Sequence, residues 1–219
     1  MEAKTLTTQM IKRLPLYLCF LKSLPKERAA NISATTIAHE LRLNDVQVRK
    51  DLAQVSDGGR PKVGYVLQEL IRDLEHCLGY DNVQSAVLIG AGYFGQALLA
   101  YEGFLDYGMD IIAAFDEEEN LRNTDNHRNK ILPLSKLPDV CSRMKIKIGI
   151  IAVDSQMAQK ACNTLVKCGI KAIWNFTPVH LQVSEQILVK DENLASSLAI
   201  LSNHLAQKLN KERMDKQVH

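Results

Sequence analysis

The stretch from Val87 to Gly95 constrains the fold of this chain more than any other, because three apolar residues run directly into the motif Gly-x-Gly-x-x-Gly. A segment of helical character follows at 96–101, and Asp116 ends a second apolar run, 111–115, 21 residues after Gly95. A strand, a glycine-rich turn, a helix and an acid after a second strand form, in this order, a dinucleotide-binding βαβ unit. The sequence therefore predicts such a unit, and the alternative is an ordinary glycine-rich turn that binds nothing.

Each part of this motif has a physical task in binding a dinucleotide. Gly90 permits the tight turn after the strand, Gly92 lets the backbone approach a pyrophosphate, and Gly95 lets the helix lie close to the strand. The pyrophosphate is expected at the helix N-terminus, where unpaired N–H groups and the helix dipole attract an anion. Asp116 accepts hydrogen bonds from both ribose hydroxyls and repels a 2′-phosphate, so it favours NAD(H) over NADP(H). The residues expected around the cofactor here are Gly90, Ala91, Gly92, Tyr93, Phe94, Gly95 and Asp116.

From residue 85 onwards the sequence alternates between strand and helix patterns, which is typical of a doubly wound α/β fold with a parallel sheet. Strands are predicted at 86–90, 110–115, 130–133, 147–153 and 171–174, and helices at 93–101, 135–142 and 155–168. The apolar run 148–153 suits a strand that is covered on both faces. The segment 174–178 follows the last of these strands, where ligands of such sheets bind. It either reaches the nicotinamide or forms a tight connection with a buried Trp174.

The N-terminal third predicts a helix-turn-helix, in which a tight turn joins two short helices. A helix before this motif, at 8–23, carries apolar residues at helical spacing, Ile11, Leu14, Leu18 and Leu21. Either Ser33 or Thr35 caps the first short helix of the motif, and Asn44 is a good N-cap for the second, at 45–55.

The helix at 45–55 carries side-chain types that suit DNA. Val48 and Leu52 lie four residues apart on one face and suit packing. Gln47, Arg49 and Lys50 project elsewhere. Gln and Arg side chains read base edges in the major groove, and Lys suits phosphates. The alternative is a solvated helix face with ordinary charges.

The segment 56–65 is rich in turn residues and carries Arg60 and Lys62. It predicts either a hairpin wing along a phosphate backbone or a plain interdomain loop. Residues 1–65 contain 11 Lys and Arg against 6 Asp and Glu, whereas the remaining residues contain 16 against 19. A basic N-terminal third is compatible with a nucleic-acid partner, and equally with an ordinary solvated surface.

Composition narrows the class of protein. The chain has 219 residues, of which 46% are hydrophobic and 24% charged, so a soluble globular protein of one or two domains is expected. It contains no run of 18 apolar residues and no signal-peptide pattern, and neither a membrane span nor secretion is expected. The five cysteines form no Cys-x-x-Cys pair. They are interpreted as reduced, mostly buried cytoplasmic residues, and no metal site is expected.

Together these features resemble the Rex family of bacterial redox-sensing transcriptional repressors over nearly the whole chain. The segments that carry the resemblance are 12–17, 47–51, 64–65, 90–95, 115–116, 158–159, 169–171 and 175–178. The resemblance implies a winged-helix DNA-binding domain with a linker helix at 1–80 and a Rossmann NAD(H)-binding domain at 81–192. It also implies a C-terminal helix at 193–219 that is exchanged between the protomers of a homodimer, and the leucine stripe of 194–211 fits that helix.

The same resemblance implies partners and further site residues. A member of this family binds an inverted-repeat operator in double-stranded DNA and releases it when NADH binds; no membrane and no metal are involved. The further residues implied at the cofactor are Tyr101, Val153, Asn175, Phe176, Thr177 and Pro178. The residues implied at the DNA are Asn44, Gln47, Arg49, Lys50, Arg60 and Lys62.

Three departures from the family pattern bear on the redox response. The segment 56–61 lacks the usual Phe-Gly start and regularly spaced glycines of the wing, so the operator sequence or the wing geometry is expected to differ. Cys19 stands where an Arg is common, and Asn193 where an Asp is expected. In the family these two charges are associated with switching, so their absence predicts a weaker response to NADH.

Two other functions stay open. An NAD-dependent dehydrogenase needs an acid–base residue, for which His127 and His204 are poorly placed and only His180 is suitable. Too little chain follows residue 175 for a substrate domain. The other possibility is a divergent paralogue that binds DNA without a redox response.

Overall fold

We describe the fold from a computed structural model, for residues 6–25, 30–117 and 130–217. The chain divides into two compact units, residues 1–83 and residues 84–219. The elements of the first unit are α1 (Thr8–Ser23), β1 (Asn31–Ile32), α2 (Ala34–Glu40), α3 (Asp45–Val55), β2 (Tyr65–Val66) and α4 (Leu67–Leu78).

The second unit alternates between strands and helices. Its strands are β3 (Gln84–Ile89), β4 (Met109–Asp116), β5 (Lys130–Pro133), β6 (Ile148–Ile151), β7 (Ala172–Asn175) and β8 (Leu188–Asp191). Its α-helices are α5 (Tyr93–Ala100), α6 (Leu137–Met144), α7 (Ala158–Lys167) and α8 (Leu194–Gln217). Short 3-10 helices occupy Glu102–Tyr107, Leu134–Lys136 and Ser155–Met157.

Helix α1 begins and ends where the sequence predicts, but its buried face is rotated. The buried residues are Met10, Leu14, Tyr17, Leu18 and Leu21. Ile11, which the sequence placed on the apolar stripe, is 46% exposed. The centre of the buried face runs through Leu14 and Leu21, so Ile11 lies at its edge.

The helix-turn-helix is formed by α2 and α3. Ser33, rather than Thr35, caps α2, because its side chain accepts a hydrogen bond from the Thr36 amide at 3.0 Å. Asn44 caps α3 through the Gln47 amide at 3.1 Å, as expected for an amide side chain at this position. Residues 41–44 alone separate the two helices, so the tight turn predicted from the sequence is confirmed.

The segment after α3 is a hairpin. The backbones of Arg60 and Gly64 exchange two hydrogen bonds of 2.9 Å, and β2 continues the chain as the antiparallel partner of β1. Gly64 has a φ of +86°, and a Cβ at this position would overlap the carbonyl of Ile32. Glycine is therefore required where the hairpin joins the small sheet.

The six strands of the second unit form one parallel sheet in the order β5-β4-β3-β6-β7-β8. Counted from β3, this is the 3-2-1-4-5-6 order of a Rossmann fold. The sequence predicted the first five strands and missed β8. Leu188 in β8 is 72% exposed, and this edge strand has no fully buried residue to produce an apolar run.

Helices cover both faces of the sheet. Val87 and Ile89 point to the face on which α6 and α7 pack, whereas Ala86 and Leu88 point to the face that carries Leu99 of α5. This alternation buries β3 on both sides, as a parallel strand requires.

Helix α8 continues to Gln217, and its leucines remain open to solvent. The exposed leucines are Leu194, Leu198, Leu201, Leu205 and Leu209, with exposed fractions between 45% and 64%. Exchange of α8 between protomers stays a prediction. Within the described residues, no helix combines the length and the apolar character needed to span a membrane.

Candidate cofactor and DNA-binding sites

The three glycines of the motif differ in what surrounds them: two are packed against the protein, and one is not. Gly90 has a φ of +107°, and a Cβ there would overlap the carbonyl of Ala152. A Cβ at Gly95 would overlap the carbonyl oxygen of Gly90, because α5 lies directly against the turn. Gly92 has an ordinary φ of −64°, and no atom lies within 4 Å of a Cβ built on it. The fold therefore requires Gly90 and Gly95, whereas no contact among the described residues requires a glycine at position 92.

A cleft of about 980 Å³ opens beside this turn. It lies at the carboxyl ends of β3, β4 and β6, where the order of the strands reverses and where ligands of such sheets bind. Seven of the residues expected at the cofactor line it: Gly90, Gly92, Tyr93, Phe94, Asp116, Val153 and Phe176. Its volume is at the upper end for small-molecule sites.

The other six expected cofactor residues do not line this cleft. Ala91 is buried in the turn, Gly95 is buried in α5, and Pro178 is exposed. Tyr101 ends α5 and lines a separate cavity of about 360 Å³, in T-shaped contact with Phe104 at 4.9 Å. The remaining two, Asn175 and Thr177, belong to the turn after β7.

The Asn175 side chain holds this turn together. Asn175 is fully buried, and its Oδ1 accepts from the Thr177 amide at 3.0 Å and from the Thr177 hydroxyl at 2.8 Å. Its Nδ2 donates to the Val179 carbonyl at 2.9 Å and to Asp191 Oδ1 at 2.7 Å. All donor and acceptor sites of the Asn175 side chain are therefore used within the protein. Phe176 of this turn lines the cleft, and its ring centroid lies 5.3 Å from that of Phe94.

Asp116 stands at the mouth of the cleft with both carboxylate oxygens partly engaged. Its Oδ2 accepts from the Ala91 amide and its Oδ1 from the Glu117 amide, both at 2.7 Å. Each oxygen offers further acceptor sites, so the carboxylate can still receive ribose hydroxyls. The carboxylate thereby ties the glycine-rich turn to the end of β4.

The cleft is bordered by a charged pair, Lys160 and Glu117, that the sequence analysis missed. Lys160 donates from Nζ to Glu117 Oε1 at 2.7 Å, and both side chains are about 60% exposed. Lys160 lies on α7, far from the glycine motif in sequence. The only indication of Lys160 in the sequence was that its neighbours Ala158 and Gln159 belong to a segment that carries the family resemblance.

In the first unit, Asp51 of α3 collects four hydrogen bonds. Arg13 donates from Nε at 2.7 Å and from Nη2 at 3.0 Å, and Tyr17 donates its hydroxyl at 2.8 Å. Gln47, one turn earlier on α3, donates from Nε2 at 2.8 Å. The bonds from Arg13 and Tyr17 join the predicted recognition helix to α1, whereas the bond from Gln47 lies within α3.

The charges in this network reinforce one another. Burial works to raise the pKa of the Asp51 carboxyl, but the hydrogen bonds from Arg13, Tyr17 and Gln47 outweigh it and hold that pKa below its usual value. The same contact with Asp51 raises the pKa of the Arg13 guanidinium. Burial, together with the bond to Asp51, raises the pKa of Tyr17 to about 12. Asp51 is therefore ionised, and Tyr17 neutral, over the physiological pH range.

The other residues expected at DNA are exposed. Arg49 forms an i,i+4 pair with Asp45 at 2.9 Å, and both side chains are open to solvent, so DNA can displace this pair at small cost. Lys50 is exposed on the same helix. Arg60 and Lys62 are exposed on the hairpin, and Lys62 adopts a φ of +65° within it.

The residues considered for other chemistry are spread out. His180 is 91% exposed and lies 3.6 Å from Asp191, whereas His204 is exposed on α8. His127 lies outside the described residues. Cys141 and Cys162 are buried, and burial raises the pKa of both thiols, that of Cys141 to about 11. In the part of the chain that the structure describes, no three His, Cys, Asp or Glu residues form a group that could hold a metal ion.

Comparison with known proteins assigns both units. Residues 6–53 match the family described as "Putative DNA-binding protein N-terminus", and residues 81–179 match "CoA binding domain". The chain is 40% identical to the redox-sensing transcriptional repressor Rex of Treponema denticola, over 87% of this chain and 91% of that protein. It is 36% identical to Rex of Desulforamulus reducens, over 95% of this chain and 99% of that one.

The chain belongs to the Rex family. The resemblance inferred from the sequence is thereby confirmed.

Solved Rex-family structures agree over the full length. RSP, a Rex-family repressor, in complex with β-NAD⁺ and operator DNA has a TM-score of 0.85 and 29% identity, covering 99% of this chain and 100% of that one. RSP in complex with β-NADH has a TM-score of 0.82 and 30% identity, with the same coverage. The Rossmann-type unit and the N-terminal DNA-binding unit predicted from the sequence are thus both found in this family.

Proposed function

We propose that this protein is a transcriptional repressor that binds operator DNA and senses the ratio of NADH to NAD⁺. The observation that carries the proposal is the pairing, in one Rex-family chain, of an exposed helix-turn-helix with an open dinucleotide cleft. RSP, which is similar over its whole length, was crystallised with NAD⁺ and operator DNA and with NADH. NADH is expected to favour a form that releases the operator.

We assign NAD(H) to the cleft beside Gly92, with Asp116 at the adenosine ribose. Phe176, Phe94 and Val153 supply its apolar lining. The Asn175 side chain, which hydrogen-bonds to Thr177, Val179 and Asp191, holds the turn around Phe176, so the role of Asn175 and Thr177 in binding is to shape the turn. Asp116 repels a 2′-phosphate and thereby favours NAD(H) over NADP(H).

We assign the DNA contact to α3 and the hairpin. The predicted contacts are Asn44, Gln47, Arg49, Lys50, Arg60 and Lys62. A homodimer presents two such surfaces to an inverted repeat, with half-sites about one DNA turn, roughly 34 Å, apart. The leucine stripe of α8 is the surface expected at the dimer contact, with α8 exchanged between protomers. DNA binding implies that the protein works in the cytoplasm.

Regulation, rather than catalysis, suits the composition of the cleft. Among the described residues that line it there is no histidine or cysteine, and Lys160 is paired with Glu117. His180 does not line it and is almost fully exposed. A dehydrogenase needs a proton donor within hydrogen-bond reach of the substrate.

A DNA-binding protein with a weak redox response is the second candidate, because Cys19 and Asn193 replace charges associated with switching in the family. Asn193 Oδ1 accepts from the Ser196 amide at 2.9 Å and so caps α8. Two carboxylates, Asp191 and Glu192, directly precede it and keep negative charge at this junction. The test below distinguishes the two candidates.

The test is operator binding at defined cofactor levels. An operator is selected from a random duplex library with the full-length protein, and its affinity is measured without cofactor, with NAD⁺ and with NADH. NADH is expected to weaken binding by about 5-fold to 150-fold, the range of a typical coupling free energy. By linkage, the operator must weaken NADH binding by the same factor. Specific binding that NADH leaves unchanged favours the second candidate, and absence of specific binding contradicts both.

A further inference from the structure

The hydrogen bond between Gln47 and Asp51 fixes which end of the Gln47 amide faces away from the protein. Both residues lie on α3, one turn apart, and the Gln47 nitrogen Nε2 is 2.8 Å from Asp51 Oδ1. Asp51 is 2% exposed, whereas Gln47 is exposed. The nitrogen end of the amide is therefore held against a buried carboxylate.

The chemistry of Asp51 leaves one orientation for this amide. An ionised carboxylate only accepts hydrogen bonds, and Asp51 also receives Arg13 and Tyr17, which are both donors here. If the amide were reversed, its oxygen would meet the carboxylate oxygen and repel it. The orientation of the amide is thus determined by its hydrogen-bond partner, which is how the N and O ends of an Asn or Gln side chain are assigned. The carbonyl oxygen Oε1 is the end left for an external partner.

Gln47 is also at the right place for base contact. It is the third residue of α3, and recognition helices of helix-turn-helix proteins reach base edges with their N-terminal residues. Val48 and Leu52 are fully buried and fix the rotation of α3. Its exposed neighbours Arg49 and Lys50 offer donors alone, so Gln47 adds an acceptor to this surface.

We propose that Gln47 accepts a hydrogen bond from a base amino group in the major groove, with Asp51 as the positioning residue that sets its orientation. Adenine N6 and cytosine N4 present such donors, whereas guanine O6 and thymine O4 are acceptors. Gln47 thus discriminates amino bases from keto bases at one position of each half-site. The inference rests on the proposed function, since it requires a specific operator.

The main experiment combines a protein change with a base change. Each base pair of the selected operator is replaced symmetrically in both half-sites, and affinities are measured for the unaltered protein and for Gln47→Ala. At one position, the unaltered protein is expected to prefer adenine or cytosine over guanine or thymine by about tenfold or more. Gln47→Ala is expected to bind all four within about threefold there. Gln68→Ala, an exposed glutamine on α4, serves as the matched control and should keep the preference.

Removing only the amino group tests the contact itself. Purine replaces adenine at that position, or pyrimidin-2-one replaces cytosine. The unaltered protein should lose about the same factor as Gln47→Ala loses on the natural operator, and Gln47→Ala should lose nothing further. Such non-additivity marks a direct contact. Equal losses in both proteins overturn the proposal.

The positioning role of Asp51 is tested by Asp51→Asn, whose amide accepts and donates. The preference for amino bases is expected to fall by about threefold or more, while the salt dependence of binding, which counts phosphate contacts, stays the same. A folded Asp51→Asn with the full preference overturns the role of Asp51. If this variant does not fold, the base-analogue experiment decides. A preference for guanine or thymine, or no base pair that depends on Gln47, overturns the inference while specific DNA binding stands. No specific binding by the unaltered protein overturns the proposed function and this inference with it.

Discussion

Each of the two units holds an aspartate at its proposed binding surface, and the two carboxylates are used in opposite ways. Asp51 in the first unit is buried and receives four hydrogen bonds from three side chains. Asp116 in the second unit is half-buried and receives two, both from backbone amides. Asp51 has no surface for a ligand, whereas Asp116 opens onto the cleft.

The difference indicates that one aspartate stabilises the packing of a helix, whereas the other is available to bind a ligand. The proposed recognition helix α3 is fixed by hydrogen bonds to the buried Asp51 carboxylate, so we assign the proposed DNA contacts to exposed neighbours of Asp51 and not to Asp51 itself. In the proposed cofactor cleft, each Asp116 oxygen accepts one backbone hydrogen bond and can accept more, and a Cβ at Gly92 would meet no protein atom within 4 Å. Removing Asp51 or its donors Arg13 and Tyr17 should therefore lower stability, and substitutions at the cleft should lower ligand affinity.

The largest expected effect comes from removing Asp51. Asp51→Ala leaves the partly buried Arg13 guanidinium and the Tyr17 hydroxyl without their partner, and we expect a loss of about 3 kcal/mol in the free energy of unfolding. Urea unfolding of the full chain measures it. Asp45→Ala is the matched control, because Asp45 on the same helix also pairs with an arginine but its side chain is 42% exposed, and it should change stability by about 0.5 kcal/mol or less.

Equal unfolding midpoints for Asp51→Ala and Asp45→Ala would contradict the distinction between the two pairs. NADH affinity provides an internal check, since the apolar core of the first unit is a cluster of its own. The NADH affinity should remain unchanged in both variants.

Within the glycine-rich motif, one substitution should lower stability and another should lower NADH affinity. Gly95→Ala drives a methyl group into the Gly90 carbonyl, and we expect a loss of about 2–3 kcal/mol in stability. Gly92→Ala meets no protein atom, so its stability should change by about 0.5 kcal/mol or less, while NADH binding weakens by about tenfold because the methyl group occupies ligand space. Thermal unfolding and NADH fluorescence titration separate the two. Normal NADH binding by Gly92→Ala would remove the cofactor from this turn.

Removal of Asp116 should lower ligand affinity with a smaller effect on the fold. Asp116→Ala is expected to weaken NADH binding by about 1–3 kcal/mol, the scale of hydrogen bonds to a charged group. NADPH should then compete better, because the charge that repels a 2′-phosphate is gone. Glu117→Ala, the adjacent exposed acid, is the control and should affect NADH less. Equal losses in both variants would indicate a general charge effect rather than ribose recognition.

Much of this architecture could be predicted from local sequence signals. The start of α3 follows from the Asn44 cap, and the doubly wound parallel sheet follows from the alternation of strands and helices around the Gly90–Gly95 motif. These signals are strong because each depends on backbone geometry that few residues satisfy. The turn residues of 56–65 left a hairpin and a plain loop as alternatives, and the structure has a hairpin with paired Arg60 and Gly64.

The remaining features depend on contacts between residues distant in sequence. Arg13 and Asp51 are 38 positions apart, and no local pattern indicates that the carboxylate is buried and shared. Asn175 was predicted to contact the cofactor, whereas its partner Asp191 lies on β8, the edge strand that carries no apolar run. Lys160 likewise reaches the cleft from α7 only after the sheet has formed.

The smallest expected effect concerns Tyr17, and its pH dependence tests the saturated network directly. At pH 7, Tyr17→Phe removes one hydrogen bond to Asp51 and should reduce the free energy of unfolding by about 1 kcal/mol. The pKa of Tyr17 is raised from 10.0 to about 12 by burial and by the bond to Asp51. A raised folded-state pKa contributes stability that is complete below pH 10 and is lost as the pH rises towards 12, because the unfolded state ionises first. The difference between the unaltered protein and Tyr17→Phe should therefore shrink above pH 10. Tyr65, whose pKa burial also raises, is present in both proteins, so its contribution cancels. Urea unfolding of both proteins from pH 7 to pH 11.5 measures the difference, and a constant value over that range would show that Tyr17 is not held neutral by the network.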